Sequence, residues 1–183
     1  MEKTYHMRIG GPQGSGIDRV ALLSARACVS AGGEVLTRRE YHSNIIGRHS
    51  YVDIALWSQA PLSVQATCDL LISYDAETLF RHIHRVNADG LVIVDPALES
   101  ASLEKQAFLD APLLRQLEQE QATGTQIADF LASAQDRGIN LLALPCTDLL
   151  QQLAKTSEYS RSDVKRVTAL FAMAAAMAHI GLP

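Results

Sequence analysis

The stretch RIGGPQGSGIDRVALLSARA, Arg8 to Ala27, decides the fold. Just before and into it, Tyr5, Met7 and Ile9 alternate with His6 and Arg8, the two-residue period of a strand that runs straight into glycine. From Ile17 the period changes, and Ile17, Val20, Ala21, Ser24, Ala27, Cys28 and Ala31 fall on one helical stripe. Its small side chains let a helix lie close against a sheet, and Gly32-Gly33 then ends the helix. A strand, a loop with glycines at 10, 11, 14 and 16, and a helix form the opening unit of a wound α/β sheet.

The pattern repeats downstream. EVLTRREY and SYVDIALWS read as the second and third strands, and CDLLISYD, GLVIVDP and INLLALP as later ones. Helical periods fall on AETLFRHIHRV, TQIADFLASAQDR, TDLLQQLAK and SDVKRVTALFAMAAAMAHIG, the last opened by a Ser/Asp cap signal. The segment from Leu98 to Thr125, rich in Leu, Gln and Glu, is expected to be an irregular helical excursion interrupted by Pro112. Continuous apolar strands alternating with helices imply a mostly parallel sheet with helices on both faces. The expectation is a three-layer, Rossmann-like single domain over residues 1–183.

Bulk composition narrows the function. A net charge of −4 disfavours a nucleic-acid partner. Cys28, Cys68 and Cys146 make no CxxC pair, so they read as mostly buried thiols in a reducing cytosol, with no metal or cluster site. MEKTYHMRIGG has no signal-peptide core, and the apolar run VTALFAMAAAMAHIGLP is short for a bilayer and carries His179, so a cytoplasmic chain with no membrane partner is expected.

At the carboxyl end of a parallel strand, glycines let backbone approach a ligand, and the free N–H groups of the next helix attract an anion. The GGPQGSG loop is therefore competent to hold phosphate, although Asp18 puts a negative charge in the first helical turn. It lacks the Lys-Ser/Thr of a Walker loop, the spacing of GxGxxG and the flanking glycines of a nucleophile elbow. Loop chemistry leaves phosphate binding and a tight packing turn both open. RREYHSNIIGRHSYV, Arg38 to Val52, gathers Arg38, Arg39, Arg48, His42 and His49 with Tyr41, Ser43, Asn44 and Tyr51 around Gly47. Guanidinium forks suit an anionic substrate or cofactor tail, and a dense polar surface equally suits another subunit. His82 and His84, two apart on a helix, point in different directions and do not pair as metal ligands. Glu40 stands about where a ribose-binding acid follows the loop of a dinucleotide fold, which keeps a free-standing NAD(P)-linked oxidoreductase as one alternative. A non-catalytic binding module using GRHSYV is another.

GGPQGSGIDRVA, REYHSNIIGRHSYV, LPCTDLL and ALFAMAAAMAHIGLP, taken in order, resemble the gamma domain of 2-oxoacid:ferredoxin oxidoreductases, in the form often fused ahead of the alpha domain. The resemblance implies a subunit or domain of a complex that oxidatively decarboxylates a 2-oxoacid, such as pyruvate or ketoisovalerate, to an acyl-coenzyme A. Thiamine diphosphate, magnesium and iron–sulfur clusters would then belong to the alpha and beta subunits, with electrons leaving to ferredoxin. This chain would carry no catalytic group or metal, would bind no cofactor by itself and would be inactive alone. It would wall the cleft that coenzyme A enters, and an apolar patch meant for its partner would make the isolated chain self-associate. On this resemblance Gly11, Gln13, Gly14, Ser15 and Gly16 match the cofactor-facing glycine loop, and Arg39, Tyr41, Ser43, Asn44, Gly47, Arg48, His49 and Ser50 match the segment beside the substrate cleft and the neighbouring subunit.

Overall fold

A computed structural model describes residues 4–41, 48–57, 63–106, 110–119, 124–156 and 161–181. The elements run β1 (Tyr5–Pro12), α1 (Ile17–Ser30), β2 (Glu34–Tyr41), β3 (His49–Trp57), β4 (Cys68–Ser73), α2 (Ala76–His82), β5 (Val86–Val94), α3 (Ala111–Gln119), α4 (Ile127–Asp136), β6 (Asn140–Ala143), α5 (Cys146–Thr156) and α6 (Arg161–His179). They build one sheet of order β2-β3-β1-β4-β5-β6. β1, β4, β5 and β6 pair in parallel, whereas β3 is antiparallel to both β1 and β2. All strands but β3 therefore share a direction, and the mostly parallel α/β architecture expected from the sequence is the one observed.

Strand alternation sends two different sets of side chains to the two faces. On the first face, Met7, Ile9, Val52, Ile54, Leu70, Ile72, Leu91 and Ile93 meet Ile17, Val20, Ala21 and Cys28 of α1 and Ala172, Ala176 and Met177 of α6. The small-residue stripe of α1 is the buried one, except that Ala27 is partly buried and Ala31 caps the helix and is exposed. Gly32 takes φ 84°, and the Gly33 amide reaches back to the Cys28 carbonyl at 3.0 Å, so glycine closes the helix as expected. On the second face, Leu71, Val92 and Val94 meet Leu79 and Phe80 of α2, Leu113 and Leu117 of α3, and Phe130, Leu131 and Ala134 of α4. Phe80 and Phe130 stack edge to face with centroids 5.0 Å apart, a favoured aromatic geometry.

Three details depart from the sequence reading. β1 continues through Gly10 and Gly11 to Pro12, because its antiparallel pairing with β3 runs on to Pro12 opposite His49. The loop proper is thus Gln13–Gly16. β5 starts at Val86, four residues early, and accommodates the extra length with Asp89 at φ 64° and a register shift against β4. Pro112 does not interrupt a helix; it sits in the first turn of α3, where a missing N–H costs nothing.

Candidate functional site

The glycine loop and the polar segment, more than 20 residues apart in sequence, meet at one end of the strands β1 and β3. β3 begins beside the end of β1, with Gly11 opposite Ser50 and Gly10 opposite Tyr51. The Gln13 amide donates to the Arg48 carbonyl at 2.7 Å, tying loop to segment. Ser15 N–H turns back onto the Pro12 carbonyl at 3.0 Å, so two of the loop's amides are used internally. Gly14 and Gly16 adopt φ 90° and 99°, conformations that side chains resist. Gly16 caps α1 with no side-chain hydrogen bond, which leaves the first-turn amides of Ile17 and Asp18 as the donors a ligand would meet. Gly11 makes a close approach: a Cβ there would lie 3.0 Å from Tyr74 Cβ and 3.2 Å from Ser15 Oγ, so its neighbours would have to give by a few tenths of an ångström.

The expected repulsion from Asp18 is answered within the fold, because Arg39 of β2 forms an ion pair with its carboxylate. Arg48 is exposed beside the loop. His49 and Ser50, expected at a contact surface, are instead buried, at 1% and 0% exposure. The reason is their place in β3, hydrogen-bonded between β1 and β2. Tyr41 ends β2 opposite Ser50. Ser43, Asn44 and Gly47 lie outside the described residues. Glu40 is not placed for a dinucleotide ribose: β3 stands between its strand and β1, and its carboxylate meets Arg38 Nε at 3.3 Å.

On the second face the antiparallel half of the sheet carries charge in its middle. Arg8 of β1 lies opposite Asp53 of β3, and Asp53 lies opposite Arg38 of β2. Arg8 grips Asp53 with Nε at 2.6 Å and Nη2 at 3.0 Å, and Arg38 Nη2 adds a third bond at 3.1 Å. Burial alone would lower the Arg8 pKa, but the hydrogen bond and charge of Asp53 hold it above the ordinary arginine value. The Arg8 guanidinium also stacks on Tyr51, 4.6 Å from the ring centre. These residues carried a sequence signal that went unread: a single charge set inside each of two otherwise apolar strands.

The Arg8 cluster fixes two histidine tautomers. A guanidinium can only donate, so Arg8 Nη1, 3.3 Å from His82 Nδ1, makes that nitrogen an acceptor. His82 therefore carries its proton on Nε2 and donates to His49 Nε2 at 2.9 Å. His84 turns away to Gln116, whose amide lies 3.0 Å from its Nε2, so the two histidines diverge as expected. Among the described residues His49, Asp75 and Glu77 each bring a ligand atom within 4.8 Å of the others. One oxygen of each carboxylate is already engaged: Glu77 Oε1 accepts from Arg81 Nε at 2.7 Å, and Asp75 Oδ1 accepts from both the amide and the hydroxyl of Thr78. Burial pushes the Cys68 thiol up to about 12 and those of Cys28 and Cys146 to about 11, which disfavours the thiolate at neutral pH. Cys28 and Cys68 are buried as expected, and Cys146 is half-buried. No described helix is long and apolar enough to cross a membrane.

Comparison with known proteins fits this geometry. The chain is 30% identical over 178 residues to subunit alpha of 2-oxoacid:ferredoxin oxidoreductase 2 from Aeropyrum pernix, covering 96% of this chain and 28% of that one. Subunit alpha of the Saccharolobus solfataricus 2-oxoacid:ferredoxin oxidoreductase is 28% identical over 178 residues, covering 95% and 28%. The chain thus spans a little over a quarter of the length of these relatives. Among solved structures, the fold matches 2-oxoglutarate:ferredoxin oxidoreductase from Magnetococcus marinus, with 2-oxoglutarate, coenzyme A and succinyl-CoA bound, at TM-score 0.58 and 15% identity over 97% of this chain and 31% of that one. It also matches the gamma subunit of the Geobacter sulfurreducens keto/oxoacid ferredoxin oxidoreductase, at TM-score 0.52 and 12% identity over 95% and 99%. A family model described as pyruvate ferredoxin/flavodoxin oxidoreductase matches residues 6–183. By sequence, the chain belongs to the pyruvate ferredoxin/flavodoxin oxidoreductase family.

Proposed function

We propose that this chain is the gamma-type part of a 2-oxoacid:ferredoxin oxidoreductase, and that its loop edge forms a wall of the coenzyme A cleft. The observation that carries the reading is the Gln13–Arg48 bond, which joins the two family-like motifs into one surface. Coenzyme A ends in phosphates, and the residues at this edge fit one. The first-turn amides of α1 have no side-chain cap at Gly16 competing for them, and Arg39 offsets the Asp18 charge. Arg48, exposed beside the loop, would add a guanidinium. In this reading the chain binds and orients, and thiamine diphosphate and iron–sulfur clusters in alpha and beta polypeptides supply the carbanion and electron chemistry. Ferredoxin then meets the complex and not this chain.

Replacing Arg48 with Ala in the assembled enzyme is expected to raise the apparent KM for coenzyme A about tenfold, a loss of about 1.4 kcal/mol, with kcat little changed. Unchanged kinetics in a complex of native stoichiometry would remove the cleft assignment. Co-purification of a tagged chain with alpha and beta polypeptides tests the gamma assignment separately.

A further inference from the structure

The second face of the sheet holds a cavity of about 290 Å³ between the antiparallel strands and the helices α2 and α3. Its wall is unusual in composition. Four arginines line it, Arg8, Arg38, Arg81 and Arg85, together with the donors Tyr51 and Gln116. Among its described lining residues there is no carboxylate.

The acids that partner these arginines stand outside that lining. Asp53 holds Arg8 and Arg38 from within the sheet; Glu77 and Asp110 hold Arg81 through Nε at 2.7 Å and Nη2 at 3.3 Å. Glu40 meets Arg38 where both are nearly half exposed. The described lining thus carries the cations, and the acids paired with Arg8, Arg38 and Arg81 are not among it. The guanidiniums are also held in place before any ligand arrives, Arg8 by two bonds to Asp53 and by the Tyr51 ring, Arg81 by its two carboxylates. Preorganised forks lose little side-chain entropy on binding an oxyanion. A neighbouring group reports the same field: after burial, the causes holding the His84 pKa down to about 3 are Arg85, Arg137 and Arg8, all cations. Pro112, Leu113 and Ala66 supply an apolar remainder of the wall, room for a short carbon skeleton.

We infer that this cavity is a binding site for a small oxyanion, a carboxylate or phosphate compound compact enough for its volume, distinct from the glycine-loop edge. The two sites draw on different residues: the loop edge uses α1 amides and Arg48, on the strand ends, whereas the cavity uses side chains from the middle of β1 to β3 and from the end of α2. The inference is independent of the coenzyme A reading.

The test is calorimetry on the full chain, titrated with inorganic phosphate in one arm and succinate in the other, against sodium chloride of equal ionic strength. Saturable binding of at least one anion in the micromolar to millimolar range is expected. Arg85→Gln and, separately, Arg38→Gln should each weaken it about tenfold, and Arg26→Ala, on the exposed side of α1 and outside both sites, should leave it unchanged. Arg38 is the safer variant for folding, since its side chain is 45% exposed. A preference between the arms tells carboxylate from phosphate. Absence of binding in both arms overturns the inference, whatever polypeptide the cavity then meets. So does binding that Arg26→Ala abolishes, or that neither Gln variant alters.

Discussion

A single row of residues crosses all six strands on the α2 side, and its two halves solve burial in opposite ways. From one edge to the other the register reads Arg38, Asp53, Arg8, Leu71, Val92 and Leu141. Leu71 and Val92 are fully buried beneath α2 and its neighbours, stabilised by apolar area removed from water at about 25 cal/mol per Å². Arg8 and Asp53 are almost as buried, at 4% exposure each, yet they are held by charge and hydrogen-bond geometry. The ladder beneath is continuous, so the backbone does not make the difference. What changes is the direction of the strands: the parallel half is wound by helices that cross over its face, whereas the β2-β3-β1 half is joined antiparallel and brings no helix of its own to that side. The polar half is accordingly where a cavity remains.

The sharpest way to break the comparison is to remove charge from the polar half. Asp53→Ala strands two arginines and is expected to cost about 3–5 kcal/mol, read as a shift in urea midpoint at constant slope. The double variant Arg8→Met, Asp53→Leu converts the row to the apolar solution and should recover most of that loss. A single variant that costs under about 1 kcal/mol would mean that water, and not the ion pair, satisfies this half.

The boundary between the halves is tested by Gly10. A Cβ there would fall 2.5 Å from Thr78 Cγ2, at the contact that seats α2 on β1. Gly10→Ala should cost about 1–3 kcal/mol by overpacking. Thr78→Ser removes the clashing methyl group and keeps the hydroxyl that bonds Asp75, so the pair of changes should cost less than Gly10→Ala alone. Strict additivity would show that α2 is not held by this approach.

The last effect is absent at neutral pH and develops only on acidification. His84 has its pKa lowered from the ordinary 6.5 to about 3, by burial first and then by Arg85, Arg137 and Arg8. The folded protein keeps it neutral, so below about 6.5 the unfolded chain takes up a proton that the fold refuses. Stability from this group is therefore complete above about 6.5 and is lost as pH falls toward 3, by at most about 1.4 kcal/mol per pH unit. His84→Gln should flatten the acid limb of stability against pH; an unaltered limb would assign acid sensitivity elsewhere.

Much of the fold was legible because period and composition report local facts. The alternation at Tyr5, Met7 and Ile9, the helical stripe from Ile17 to Cys28 and the Gly32-Gly33 stop each follow from backbone geometry that neighbours in sequence share. The glycine loop was legible for the same reason, although the extent of β1 was not, since Gly10 and Gly11 become strand only by pairing with Ser50 and Tyr51. Pro112 was misjudged because a proline inside a Leu-rich run reads as a break, whereas α3 begins only one residue before it, at Ala111, where the first turn needs no N–H.

The sequence by itself determined a wound α/β domain, its strands and helices, and two polar motifs at the right places along the chain. Only the tertiary structure decided that β3 inserts between β1 and β2, which takes Glu40 away from the loop, buries His49 and sets Asp53 between Arg8 and Arg38. The physical reason is that strand order is chosen by which faces can be covered and which buried charges can be paired. Those are long-range conditions, met by residues 45 positions apart, as in Arg8 and Asp53, that no local pattern connects.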